Sequence, residues 1–414
     1  MSLISSICGM LYDSRGFLGD GCVNVNEKGF IESVSKIPKS EKSFNFNKYI
    51  IGPGLIDLHV HLRGLDLSYK EDEESGTKSA LQSGITLVVD MPNTRPRLDN
   101  PKSIKLKLNS LKEKSYTDYS VYSSIPKNTS DIEEILKLPI AGFKIYPEDL
   151  GSKIEIIKEV LKLNKLIILH PEMPEAERIN DEENISRGTL RGCNLESASV
   201  YYLHKVNNRA KIHVTHASCP STVFEAKKFG YTVDVTPHHL FYNSHNQGCY
   251  YRVNPPLRDE TTRQNLLKLF LDGYVDALCS DHAPHSLKEK ENFKTCPSGI
   301  PWLGTWPWII FRLVKYNLIS IQGFFYYMSY SPSIILNLKN YGLIEKGYRG
   351  NIIAIDKDKV WRFTNTFSKA PYYGHFLEEN YGFVKSAFIG GKLVFDENGL
   401  IEKTDTINPF NNFS

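Results

Sequence analysis

His59 and His61, one residue apart in the run GLIDLHVHL, are the first pair in the chain with the spacing of metal ligands. On an extended strand, residues i and i+2 face the same side, so two imidazoles standing together supply half of a zinc site. Alone, such a pair is as readily an ordinary strand feature. Four residues at the ends of later apolar runs change the balance: Lys144 in GFKIY, His170 in LIILHPE, His216 in HVTH and Asp281 in CSDH. Four imidazoles and a carboxylate aimed at one mouth are best explained by a shared metal centre. Nine of the twelve histidines (59, 61, 170, 213, 216, 238, 239, 282 and 285) fall at such run ends, whereas chance would scatter them over loops and helices. Lys144 admits two readings, because lysine is rarely buried in a strand without a partner. It is either a snorkelling lysine paired with a loop carboxylate or the site of a CO₂ adduct, a carbamate able to bridge two metals.

These residues meet only if the runs that carry them lie side by side. Eight such runs are present: GLIDLHV, GITLVVDM, DYSVYSSI, AGFKIY, KLIILH, KIHVTH, YTVDVT and VDALCS. Most precede a stretch of helical periodicity, such as KIEIIKEVLKL at 153–163 or TTRQNLLKLFL at 261–271. Continuous rather than alternating hydrophobicity marks strands buried on both faces of a parallel sheet. Eight strand–helix units predict an α/β fold, a (β/α)₈ TIM-type barrel, whose active site lies at the C-terminal ends of the strands. Arg63 follows His61 by two residues and so faces the same side, and Asn93 ends the neighbouring strand.

The chain ends have another rhythm, with short strands and tight turns at 1–52 and again over the last 65 residues. We expect 1–52 and 350–414 to form one small β-sandwich domain without catalytic residues, beside a hydrolase barrel at 53–349. The 414-residue length suits one barrel of ~250 residues plus something smaller. A net charge of +3 excludes a nucleic-acid surface. The lysine-rich run 102–114 fits a solvated helix face rather than a binding patch. Seven cysteines, an odd number with no Cys-x-x-Cys pair, suggest free thiols in a reducing compartment. No basic leader precedes Asp13 and no apolar run approaches the ~18 residues of a membrane span, so we expect a cytoplasmic protein without membrane contact.

Six motifs occurring in order, HVHLR at 59–63, MPNTRP at 91–96, AGFKIY at 141–146, VTPHHL at 235–240, NPPLR at 254–258 and DHAPH at 281–285, resemble the signatures of the dihydroorotases of the amidohydrolase superfamily. The resemblance covers roughly residues 51–300 and implies two Zn²⁺ ions and a carbamate on Lys144. It places one metal on His59, His61, Lys144 and Asp281, and the other on His170, His216 and Lys144. It implies that Arg63, Asn93, Asn254 and His285 contact the substrate, and that Asp281 shuttles the proton. The implied reaction is reversible hydrolysis of L-dihydroorotate to N-carbamoyl-L-aspartate in pyrimidine synthesis. The implied partners are that small molecule and either further copies of the chain or other enzymes of the pathway. Allantoinases and the hydantoinase–dihydropyrimidinase group share the metal site, but their substrates lack the carboxylate that Arg63 and Asn93 suit. A metal-free homologue acting as a partner subunit would have lost ligands, and here every one is present. The chain departs from the family pattern at Gly64-Leu65-Asp66, Trp302-Leu303-Gly304-Thr305 and Gly350-Asn351, none of them a ligand position.

Overall fold

The computed structural model describes residues 2–179, 183–207, 209–292, 295–363, 366–370, 379–399 and 401–411. Eight strands form one parallel sheet in sequence order: β5 (Leu55–Val60), β6 (Ile85–Asp90), β7 (Asp118–Ser124), β8 (Gly142–Ile145), β9 (Leu166–Leu169), β10 (Lys211–Val214), β11 (Thr232–Val235) and β12 (Ala277–Leu278). They coincide with the eight apolar runs. The sheet closes where Val60 bridges His282 in parallel and the His61 N–H donates to the His282 carbonyl at 2.8 Å. This is a TIM-type barrel. Strand residues are buried almost throughout, because one face packs inside the barrel and the other against helices.

The barrel interior holds Ile56, Leu58, Leu87, Val89, Met91, Tyr122 and Ile168. Ile335, Leu336, Leu338 and Tyr341 pack against this cluster from the strands' N-terminal side. Chemistry is thereby confined to the opposite end.

The chain ends build a second sheet of seven mostly antiparallel strands. These are β1 (Leu3–Asp13), β2 (Gly16–Asn26), β3 (Ile31–Ser35), β4 (Ser43–Pro53), β13 (Ile352–Arg362), β14 (Glu379–Ile389) and β15 (Lys392–Asp396). Their order is β15-β14-β13-β4-β1-β2-β3, so β4 joins the N-terminal strands to the C-terminal ones. Asp118, the first residue of β7, ties this sheet to the barrel. It accepts from Tyr341 Oη at 2.9 Å, Asn351 Nδ2 at 2.8 Å and the Ile407 N–H at 2.8 Å, and pairs with Arg349 at 3.1 Å. The Gly350-Asn351 departure thus supplies a donor to this buried carboxylate. Among the described residues, no helix is long and apolar enough to cross a membrane.

Two expectations are corrected. The lysine-rich helix, Pro101–Lys114, exposes Lys102, Lys105, Lys112 and Lys114, but Lys107 is fully buried between two carboxylates. The cysteines are not all free: Cys8 pairs with Cys22, Cys193 with Cys219 and Cys249 with Cys296, leaving buried Cys279 as the free thiol. Cys8 and Cys22 are direct neighbours in the β1–β2 ladder, and the other pairs join segments 26 and 47 residues apart. An odd count is compatible with three bridges and one remainder, and parity carries no information on which segments the fold brings together. Thiol titration of the denatured chain should therefore find one reactive thiol without reductant and seven after reduction. Seven without reductant would contradict these pairings.

Candidate active site

β5 delivers the first two imidazoles. Its pairing with β6 slips between Asp57 and Val60, and the chain beyond turns so that both rings reach Asp281. Asp281 Oδ1 lies 3.2 Å from the Nε2 of His59 and 3.2 Å from that of His61. Ligands held tetrahedrally ~2.0–2.1 Å from one metal stand about 3.3–3.4 Å apart, so this spacing suits a shared ion. The ring centroids continue from His59 to His216 at 5.0 Å and from His216 to His170 at 4.5 Å, extending the ligand row across the mouth.

Lys144 lies among them on β8. It is fully buried and its Nζ has no hydrogen-bond partner among the described residues, with the face of the Tyr146 ring 5.4 Å away. Burial pushes its pKa down to about 7. Of the two readings of this lysine, pairing with a loop carboxylate does not occur among the described residues. Burial, the Lys144 charge and the neighbouring rings also push His59 well below the ordinary histidine range, and burial, His170 and Lys144 do the same to His216. Neutral imidazoles are the form that binds metal. His216 Nδ1 is a second buried atom without a partner. The donor set, with two orphaned nitrogens pointing to a need for something to bind, fits a metal centre.

Other buried groups hold the rings. His59 Nδ1 lies 2.6 Å from Thr215 Oγ1, which donates to Asp234. Asp234 also accepts from the His216 N–H and pairs with His213 Nε2 at 2.6 Å. His61 Nδ1 lies 2.7 Å from Asn93 Oδ1. His170 Nε2 lies 2.8 Å from Glu172, whose carboxylate also takes two bonds from Arg191. Burial raises the Glu172 pKa, but His170 and Arg191 outweigh it and hold it at about 2. Arg63, His216 and Asp281 adopt φ of 55°, 42° and 46°, a left-handed conformation costly for non-glycine residues and typical of functional sites.

These residues line a cavity of about 250 Å³ that also includes Asn254, Tyr146, Glu148, Glu177, Arg191 and Ser298. The Arg63 guanidinium enters it, steadied by Nε donating to the Pro284 carbonyl at 3.2 Å. Asn254 Oδ1 accepts from buried Arg187 at 2.5 Å and from Ser298 Oγ at 3.2 Å. His285 is not among the lining residues. It stands behind Arg63, its Nε2 3.2 Å from Arg63 Nη2. Four of the nine run-end histidines serve the frame instead: His213 pairs with Asp234, His238 and His282 accept from Trp302, and His239 meets the Pro255 carbonyl. Sequence reasoning missed Thr215 and Asp234 as ring holders and Arg191 as a lining cation. Only Glu172, two residues from His170, carried a local signal.

Residues 50–394 match the amidohydrolase family. The chain is 42% identical to a dihydroorotase of Aeropyrum pernix over 77% of each chain. It is 40% identical to one of Sulfolobus acidocaldarius, over 92% of this chain and 93% of that one, and 38% identical to one of Saccharolobus solfataricus over 99% of each. Among solved structures, an L-hydantoinase (dihydropyrimidinase) from Arthrobacter aurescens superposes with a TM-score of 0.88 at 18% identity, covering 96% of this chain and 97% of that one. A D-hydantoinase from a Bacillus species superposes at 0.86 with 19% identity, over 97% and 98%. At such identity the structural likeness speaks for the fold alone.

Thr215 bridges His59 to Asp234, and partners of this kind set metal affinity. Thr215→Val should weaken metal binding about 10- to 100-fold in chelator competition. An unchanged affinity would show that the bridge does not orient His59.

Proposed function

The chain belongs to the amidohydrolase family and, within it, to the dihydroorotases, and on that premise we propose that its mouth holds two zinc ions and interconverts L-dihydroorotate and N-carbamoyl-L-aspartate. His59, His61 and Asp281 would hold one ion, His170 and His216 the other, and a carbamate on Lys144 would bridge them. The observation that carries this assignment is the buried Lys144 amine, without a partner among the described residues, beside the imidazoles of His59 and His216 that burial holds neutral. An amine with a pKa near 7 is about half unprotonated at neutral pH, and the unprotonated form adds CO₂ and releases a proton to become a carboxylate. Held by these residues, zinc would lower the pKa of an attacking water towards neutral and would polarise the ring carbonyl.

The chain's own residues do the rest. Asp281 takes the proton of the attacking water on its carboxylate and returns it to the leaving ring nitrogen. Arg63 and Asn93 bind the substrate carboxylate. Asn93 offers its Nδ2 donor to the substrate while Oδ1 holds His61. Asn254 lines the same cavity, where Arg187 fixes its Oδ1 and leaves Nδ2 for the substrate. His285 acts through Arg63. The carboxylate pair separates this substrate from allantoin and dihydrouracil, and a complete ligand set separates the chain from a metal-free partner subunit. Cytoplasmic location is the expectation read from the sequence, and association with further copies or with other enzymes of the pathway is carried over from the resemblance alone.

Charge-assisted bonds contribute roughly 1.5–3 kcal/mol each, so Arg63→Met should lower kcat/KM for dihydroorotate at least ~10-fold with bound zinc unchanged. The parent enzyme should turn over dihydroorotate in preference to allantoin and dihydrouracil. Equal activity of Arg63→Met and parent on dihydroorotate would overturn the carboxylate assignment. Lys144→Ala should lose metal and activity together, with partial return of both in the presence of small carboxylic acids. A fully metallated, active Lys144→Ala would overturn the bridge.

A further inference from the structure

Lys107 is the one lysine of its helix that is withdrawn from water, and its surroundings explain where it points. Its Nζ lies 2.7 Å from Glu73 Oε1 and 2.9 Å from Asp90 Oδ2, and all three side chains are fully buried. The same Nζ donates to the Arg63 carbonyl oxygen at 3.0 Å. Asp90 holds the preceding residue, accepting from the Leu62 N–H at 2.7 Å. Glu73 opens the helix Glu73–Gln82, where the helix dipole favours an acid.

This cluster grips an unusual stretch of chain. Arg63, Gly64 and Leu65 are consecutive left-handed residues, with φ of 55°, 61° and 48°. A Cβ at position 64 would stand 2.2 Å from Glu73 Oε1, so Glu73 packs directly against the turn that only glycine allows there. Strained turns persist when their surroundings over-determine them. Here three separate elements supply the Lys107, Glu73 and Asp90 groups that do so. Beyond the turn, only the Nε and Nη2 atoms of Arg63 have partners among the described residues, which leaves Nη1 for a ligand.

We propose that Lys107, paired with Glu73 and Asp90, is a positioning residue for substrate recognition, holding the left-handed turn that aims the Arg63 guanidinium into the cavity. This rests on the assignment of Arg63 to the substrate carboxylate. Lys107 touches neither substrate nor metal ligand and acts through the Arg63 backbone.

A double-mutant cycle separates positioning from mere structural support. Lys107→Met should raise KM for dihydroorotate about tenfold, or ~1.4 kcal/mol, with a much smaller fall in kcat and bound metal at the parent level. In an Arg63→Met background the same change should alter KM less than ~2-fold, because the side chain it aims is gone. Removing the cation alone leaves two buried acids facing each other, and should that variant not fold, Lys107→Met/Glu73→Gln takes its place in both arms. The pair of substitutions removes one positive and one negative charge, so the cluster keeps its net charge of −1. An equal effect in both backgrounds, no effect in either, or loss of metal in parallel with KM overturns the positioning role while leaving the carboxylate assignment intact. An unchanged kcat/KM in Arg63→Met alone overturns that assignment, and this inference falls with it.

Discussion

Burying a polar group without a hydrogen bond costs a folded chain roughly 1–3 kcal/mol by mutational measures, more for a charge. Lys144 is fully buried in the middle of a barrel strand with no partner for its amine. Such a residue is tolerated where something outside the polypeptide completes its environment. The rest of the mouth is built around that need. Imidazoles approach from β5 and from the ends of β9 and β10, and Asp281 closes the ring from beyond β12. Burial holds the imidazoles of His59 and His216 neutral, the form that receives a positive ion.

Precision comes from one layer further out. Asp234 sits beneath the site and accepts from Thr215, His213 and the His216 backbone, so a single carboxylate steadies both His59 and His216. Glu172 and Arg191 do the same for His170. Among the described residues, four of the six non-glycine residues with left-handed backbone belong to or adjoin the site, and each of their three loops donates a backbone N–H to a buried acid. Stability is thus spent to hold side chains in one orientation, the arrangement that a preorganised site requires.

The barrel was legible because parallel strands must be apolar on both faces, and eight such runs leave few alternative folds. The candidate ligands were legible because His59-x-His61 straddles the end of β5 and the others lie at or near strand ends. The histidine cluster overstated the site, since burial also recruits histidine for framework bonds: His213, His238, His239 and His282 stand at strand ends yet serve neighbours rather than the cavity. Lys107 was illegible because helical periodicity places it beside exposed lysines, and only the tertiary approach of Glu73 and Asp90 makes its burial favourable. The disulfides were illegible for a similar reason: Cys249 and Cys296 lie 47 residues apart, and nothing local records that their loops meet. Local pattern reports strand, helix and strand end; pairings made across the fold leave no trace in it.

The central claim is that an orphaned lysine becomes the bridge of a two-metal centre, and zinc-edge anomalous diffraction from crystals grown with zinc and bicarbonate at neutral pH tests it most directly. The account predicts two anomalous peaks ~3.5–4 Å apart, with density for a carboxylate on Lys144 Nζ between them. A single peak, or two peaks flanking an unmodified lysine, would contradict it.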